Sequence, residues 1–122
     1  MKAIDKLISK TKKDKEILAV IVFGSYARGE RHRDVDVCLV LNKMLENGAM
    51  SMKRLEYVSE FGLDIHVFQQ IPLYIRVRVL KEGKILFCRD IDALYDMAIG
   101  TAKEFGYFKP IYESYLEAVK HG

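Results

Sequence analysis

The sequence predicts an α/β domain: about four strands in a sheet flanked by helices. Three observations carry that expectation. Short apolar runs rich in β-branched residues recur at 17–23, 34–41, 63–69 and 84–88. Segments with apolar residues at helical spacing precede, separate and follow these runs. Gly24, Gly62 and Gly83 stand where the pattern changes period. Strands alternating with helices imply a sheet covered by helices. No repeat, low-complexity tract or flexible linker interrupts the 122 residues, so one domain over 1–122 is expected, with C-terminal helices over about 91–120.

The elements follow in order. Residues 2 to about 14 place Ile4, Leu7 and Ile8 at helical spacing among lysines, an amphipathic first helix. The run 17–23 has the length and branching of a buried strand, and Gly24 supplies backbone freedom for a turn. A short helix is expected to begin over 25–29. The second strand spans 34–41, with Asp34, Asp36 and Cys38 on one face and Val35, Val37, Leu39 and Leu41 on the other. A second helix over 48–61 carries Met52, Leu55, Val58 and Ser59 at helical spacing and stops at Gly62. A third strand covers 63–69, with Ile65 and Val67 facing away from Asp64, His66 and Phe68.

Residues 73–82 carry two patterns, since Ile75, Val77 and Val79 alternate with arginines while Leu73, Val77 and Leu80 keep helical spacing. Pro72 before and Gly83 after favour helix. A fourth strand follows at 84–88. Asp90 is placed to cap a helix presenting Ile91, Leu94, Tyr95, Ala98, Ala102 and Phe105. Gly106 and Pro110 are expected to break it before a last segment over 110–120.

Composition narrows the class. Half of the residues are hydrophobic, 30% are charged and the net charge is +3, an ordinary balance for a water-exposed domain. No lysine-arginine block is long enough to act as a nucleic-acid arm. Lys10, Lys12, Lys13 and Lys15 are interrupted by Asp14 and followed by Glu16, the pattern of a solvated face. Cys38 and Cys88 lie in strand-like runs, which argues against a disulfide scaffold and fits a reducing cytoplasm. No apolar run approaches bilayer length, so no membrane association is expected.

The chemistry concentrates at Gly24-Ser25 and at Asp34-x-Asp36. Two carboxylates on one face of a strand repel each other unless a positive charge lies between them, and a hard divalent cation with oxygen ligands is the natural candidate. In isolation, Gly-Ser after a strand is an ordinary turn, and Asp-x-Asp can be a strand-end cap. Joined, with strands on both sides, they point to metal-bound nucleotide.

This stretch, with Ala27-Arg28-Gly29-Glu30 inside it and Leu63-Asp64-Ile65-His66 beyond it, resembles the signature of the DNA polymerase β-like nucleotidyltransferases. It is most similar to the minimal nucleotidyltransferases paired with HEPN-domain toxins. The link Tyr26 to Arg33 is eight residues, shorter than in many such proteins. The resemblance implies a mixed, highly twisted sheet with the nucleotidyltransferase fold. It also implies that Asp34, Asp36 and Asp64 are catalytic and hold two Mg²⁺ ions, and that Gly24, Ser25 and Arg28 bind the triphosphate. His66, on the face of Asp64, reads as a hydrogen-bonded structural histidine, because Mg²⁺ seldom selects imidazole.

The activity so implied is transfer of a nucleoside monophosphate, AMP from ATP, to a hydroxyl acceptor such as a tyrosine of a cognate HEPN toxin. The competing expectation is an antitoxin that neutralises its partner by binding alone. A homo-oligomer is compatible with either.

Overall fold

The computed structural model describes the backbone of residues 2–24 and 35–121, and side chains within 3–24 and 35–106. Helix α1 (Lys2–Lys13) leads into strand β1 (Ile17–Phe23), followed by β2 (Asp36–Leu41) and helix α2 (Asn47–Phe61). Strand β3 (Asp64–Val67) runs into a 3₁₀ turn at Phe68–Gln70, then helix α3 (Leu73–Glu82), strand β4 (Lys84–Cys88) and helix α4 (Ile91–His121). The strands form one mixed sheet in the order β3-β2-β1-β4, with β1 antiparallel to both neighbours and β2 parallel to β3. A four-stranded mixed sheet with helices about it is what the sequence led one to expect.

The sheet buries both faces, which explains why β1 reads as a continuous apolar run rather than an alternation. On one side Val20, Val22, Val37, Leu39, Ile65 and Val67 pack with Ile4 and Leu7 of α1 and Met50 and Tyr57 of α2. On the other, Leu18, Ile21, Cys38 and Val40 pack with Phe68, Val79 of α3 and Leu94 of α4. The alternation expected along β2 and β3 therefore holds.

Three expectations are corrected. In α2 the buried residues are Met50 and Tyr57, whereas Met52 and Leu55 are exposed. Two overlapping apolar stripes run along this helix, and the aromatic one buries more surface. In α4, Leu94 and Thr101 are buried with Met97 packed beside them, while Ile91 and Tyr95 stand exposed. Nor does α4 break: its backbone continues through Gly106 and Pro110 to His121. A proline within a helix removes one backbone hydrogen bond, and the cooperative bonds of the flanking turns carry the helix past it.

Strand β3 also ends two residues earlier than expected. Its role beside β2 is taken over by a side chain: Gln69 accepts from the Leu41 amide at 3.1 Å and donates to the Leu41 carbonyl at 2.9 Å. On the exposed edge of β3, Arg54 Nε donates to the Ile65 carbonyl at 2.7 Å.

The α1–β1 connection is fastened at two points. Arg89 donates through Nη2 to the carbonyls of Thr11, Lys12 and Asp14 at 2.7, 3.2 and 3.2 Å, and through Nε to Ile17 at 3.0 Å. One guanidinium thus gathers carbonyls from the last turn of α1, the connection and the start of β1. Asp14 accepts from Lys53 Nζ at 3.0 Å and from the Tyr57 hydroxyl at 2.8 Å, tying the turn to α2. The lysine cluster is thus not wholly solvated, since Lys10 pairs with Glu56 and Glu60 over the Tyr57 ring.

Candidate active site

Parallel pairing of β2 with β3 sets Asp36 directly opposite Asp64, two rungs before Cys38 opposite His66. Antiparallel pairing of β1 with β2 sets Phe23 opposite Asp36, so the chain leaves β1 at Gly24 beside the same carboxylate. Three strands thus deliver Gly24, Asp36, Asp64 and His66 to one end of the sheet. Side chains two apart share a face, so His66 lies beneath Asp64 on the side where Asp36 projects.

Gly24 has a φ of +74°, and a Cβ built there would stand 2.6 Å from Asp36 Oδ2. Glycine is therefore required both for the turn and for the approach of backbone to carboxylate. His66 Nε2 lies 3.2 Å from Asp64 Oδ1 and 3.7 Å from Asp36 Oδ1. The edge of the Phe23 ring meets the imidazole with centroids 5.7 Å apart. Burial raises the Asp36 carboxyl above its ordinary value, the neighbouring Asp64 carboxyl adds to this, and His66 partly opposes it. Asp36 is thus short of positive charge.

One donor atom from each of Asp36, Asp64 and His66 lies within 4.8 Å of the others, a spacing that a single divalent ion can span. Hard divalent cations take carboxylate oxygens of this kind, so Asp36 and Asp64 fit such an ion. Of the sequence-derived site, the structure brings together Gly24, Asp36 and Asp64; Ser25, Arg28 and Asp34 lie outside the described residues. Placement of His66 against both carboxylates was not foreseen, although its two-residue spacing from Asp64 carried the signal.

No helix among the described residues is long and apolar enough to cross a membrane. Comparison with known proteins extends the geometry. A candidate protein adenylyltransferase of Methanocaldococcus jannaschii is 30% identical over 81 residues, covering 63% of this chain and 61% of that protein. More than a third of the relative's length thus has no counterpart in the match.

Among solved structures, a toxin–antitoxin complex with AMP-PNP superposes with a TM-score of 0.69 at 21% identity, covering 94% of this chain and 97% of that one. A complex of tri-AMPylated Shewanella oneidensis HEPN toxin with MNT antitoxin gives a TM-score of 0.68 at 18% identity, covering 96% and 95%. At such identities the likeness establishes the fold. Residues 5–92 match the family model described as polymerase beta, nucleotidyltransferase. That span takes in both paired carboxylates and most of the chain, and the chain belongs to the polymerase β nucleotidyltransferase family.

Proposed function

We propose that this chain is a minimal nucleotidyltransferase that moves AMP from ATP onto a hydroxyl, a tyrosine side chain, of a HEPN-domain toxin, and so acts as the antitoxin. The observation that carries the reading is the facing pair Asp36 and Asp64 beside the left-handed turn at Gly24. The adenylyltransferase relative and the AMP-PNP and AMPylated-toxin structures support the nucleotide and the partner.

In the reaction, the acceptor hydroxyl oxygen forms a bond to the α-phosphorus as the bond from that phosphorus to the bridging oxygen breaks. Pyrophosphate leaves and the hydroxyl proton passes to solvent or a nearby base. Little covalent help is needed; alignment and neutralisation of charge dominate. Asp36 and Asp64, with Asp34, would hold two Mg²⁺ ions, which supply Lewis-acid activation of the acceptor oxygen and charge stabilisation on the phosphates. Gly24 leaves room for the triphosphate to approach the backbone, and Ser25 and Arg28 would donate hydrogen bonds to it.

The test is transfer of label from α-labelled ATP to a purified HEPN-domain protein, with Mg²⁺ and with chelator. Metal-dependent labelling that Asp36→Ala abolishes is the expected result. Neutralisation of the toxin without labelling, unchanged in Asp36→Ala, would overturn the enzymatic reading and leave binding alone.

A further inference from the structure

A nitrogen donor, His66 Nε2, stands beside the paired carboxylates of Asp36 and Asp64. We propose that His66 Nε2 is a direct ligand of the cation held by Asp36 and Asp64, and that this makes the centre favour a first-row transition ion such as Mn²⁺ over Mg²⁺. The inference rests on the proposed divalent centre and deepens it.

The geometry has three parts. First, β3 places Asp64 and His66 on one face, and the register with β2 places Asp36 across from Asp64. Second, Nε2 is aimed at both carboxylates together, 3.2 Å from Asp64 Oδ1 and 3.7 Å from Asp36 Oδ1. Neighbouring ligand atoms around an octahedral ion with bonds of about 2.1 Å stand about 3 Å apart, so these separations approach those of a ligand set. Third, the ring is held in place, 29% exposed and braced edge-on by Phe23. A histidine serving only to hold Asp64 would need one carboxylate within reach, yet this one faces two.

Donor chemistry then sets the preference. Carboxylates and water suit Mg²⁺ and Mn²⁺ alike, whereas imidazole adds affinity along the transition series and little for Mg²⁺. Replacing an oxygen donor by Nε2 therefore separates two ions that an all-oxygen site would treat similarly.

Pulsed electron paramagnetic resonance tests this on the full chain loaded with Mn²⁺, alone and with a non-hydrolysable ATP analogue. The expected result is a ¹⁴N coupling that becomes ¹⁵N when histidine is labelled and is absent in His66→Asn. Titration should show the Mn²⁺-to-Mg²⁺ affinity ratio falling at least about tenfold in His66→Asn. Circular dichroism should show that the variant remains folded, and His66→Gln provides a second variant should it not. Saturable Mn²⁺ binding that needs Asp36 but shows no histidine coupling overturns the role of His66 and leaves the centre standing. Absence of any saturable binding overturns the centre itself, and the proposal with it.

Discussion

Gly24 and Asp36 are in such close approach that a single methyl group on the first would press upon Oδ2 of the second, at 2.6 Å. Gly24→Ala is accordingly expected to cost about 1–2 kcal/mol for the left-handed backbone alone. Its larger effect should fall on nucleotidyl transfer, through displacement of the carboxylate. Thermal melts and labelled-nucleotide transfer measured side by side would show activity reduced at least about tenfold in protein that is still folded, since a misplacement near 1 Å can cost more.

Asp36→Asn and Asp64→Asn should each remove the response of the protein to divalent ions. At a hundredfold excess over its Kd, a bound ion stabilises the native state by about 2.7 kcal/mol. Wild type is therefore expected to melt several degrees higher with Mg²⁺ or Mn²⁺ than with chelator. Both variants should melt at one temperature in either condition. Differential scanning fluorimetry reads this directly, and an unchanged response in the variants would place the ion elsewhere.

Asp14 predicts a pH dependence remote from the site. Burial disfavours its charge, but hydrogen bonds from Lys53, Tyr57 and the Glu16 amide outweigh that and hold the carboxyl below its ordinary value of 3.8. A lowered acid contributes stability that is present above the unfolded value and is lost as pH falls through the folded one. Asp14→Asn should thus cost about 1–2 kcal/mol at neutral pH and progressively less as pH drops below 3.8. Urea unfolding at several pH values measures the convergence of the two proteins.

Arg89 tests the fastening of α1 to the sheet. Arg89→Ala should destabilise by about 1–3 kcal/mol, since several backbone carbonyls lose a charged donor. Arg89→Lys keeps the charge but not the planar fork, and should recover less than half of the loss. Chemical denaturation of the three proteins would show the order.

Much of this architecture was legible in the residues. Strands β1 and β4 and helix α3 stand at their expected bounds, because flanking turn residues and β-branched runs are local signals. Asp90 caps α4 through its bonds to the Asp92 and Ala93 amides, as its position suggested. What was hidden is non-local. The faces of α2 and α4 depend on which apolar stripe meets the sheet, and only the assembled core chooses Tyr57 over Leu55 or Thr101 over Tyr95. The end of β3 depends on Gln69 reaching Leu41 across 28 positions. Within the site, Asp36 was readable from its spacing and Asp64 from the resemblance, whereas their pairing and the aim of His66 at both depend on the β2–β3 register.

Cys38 lies fully buried two rungs beneath the paired carboxylates, and burial pushes its thiol well above the ordinary range. The reactive form of cysteine is the thiolate, which this surrounding suppresses. Peroxide and alkylating agents should therefore find no handle on Cys38 beneath the candidate site.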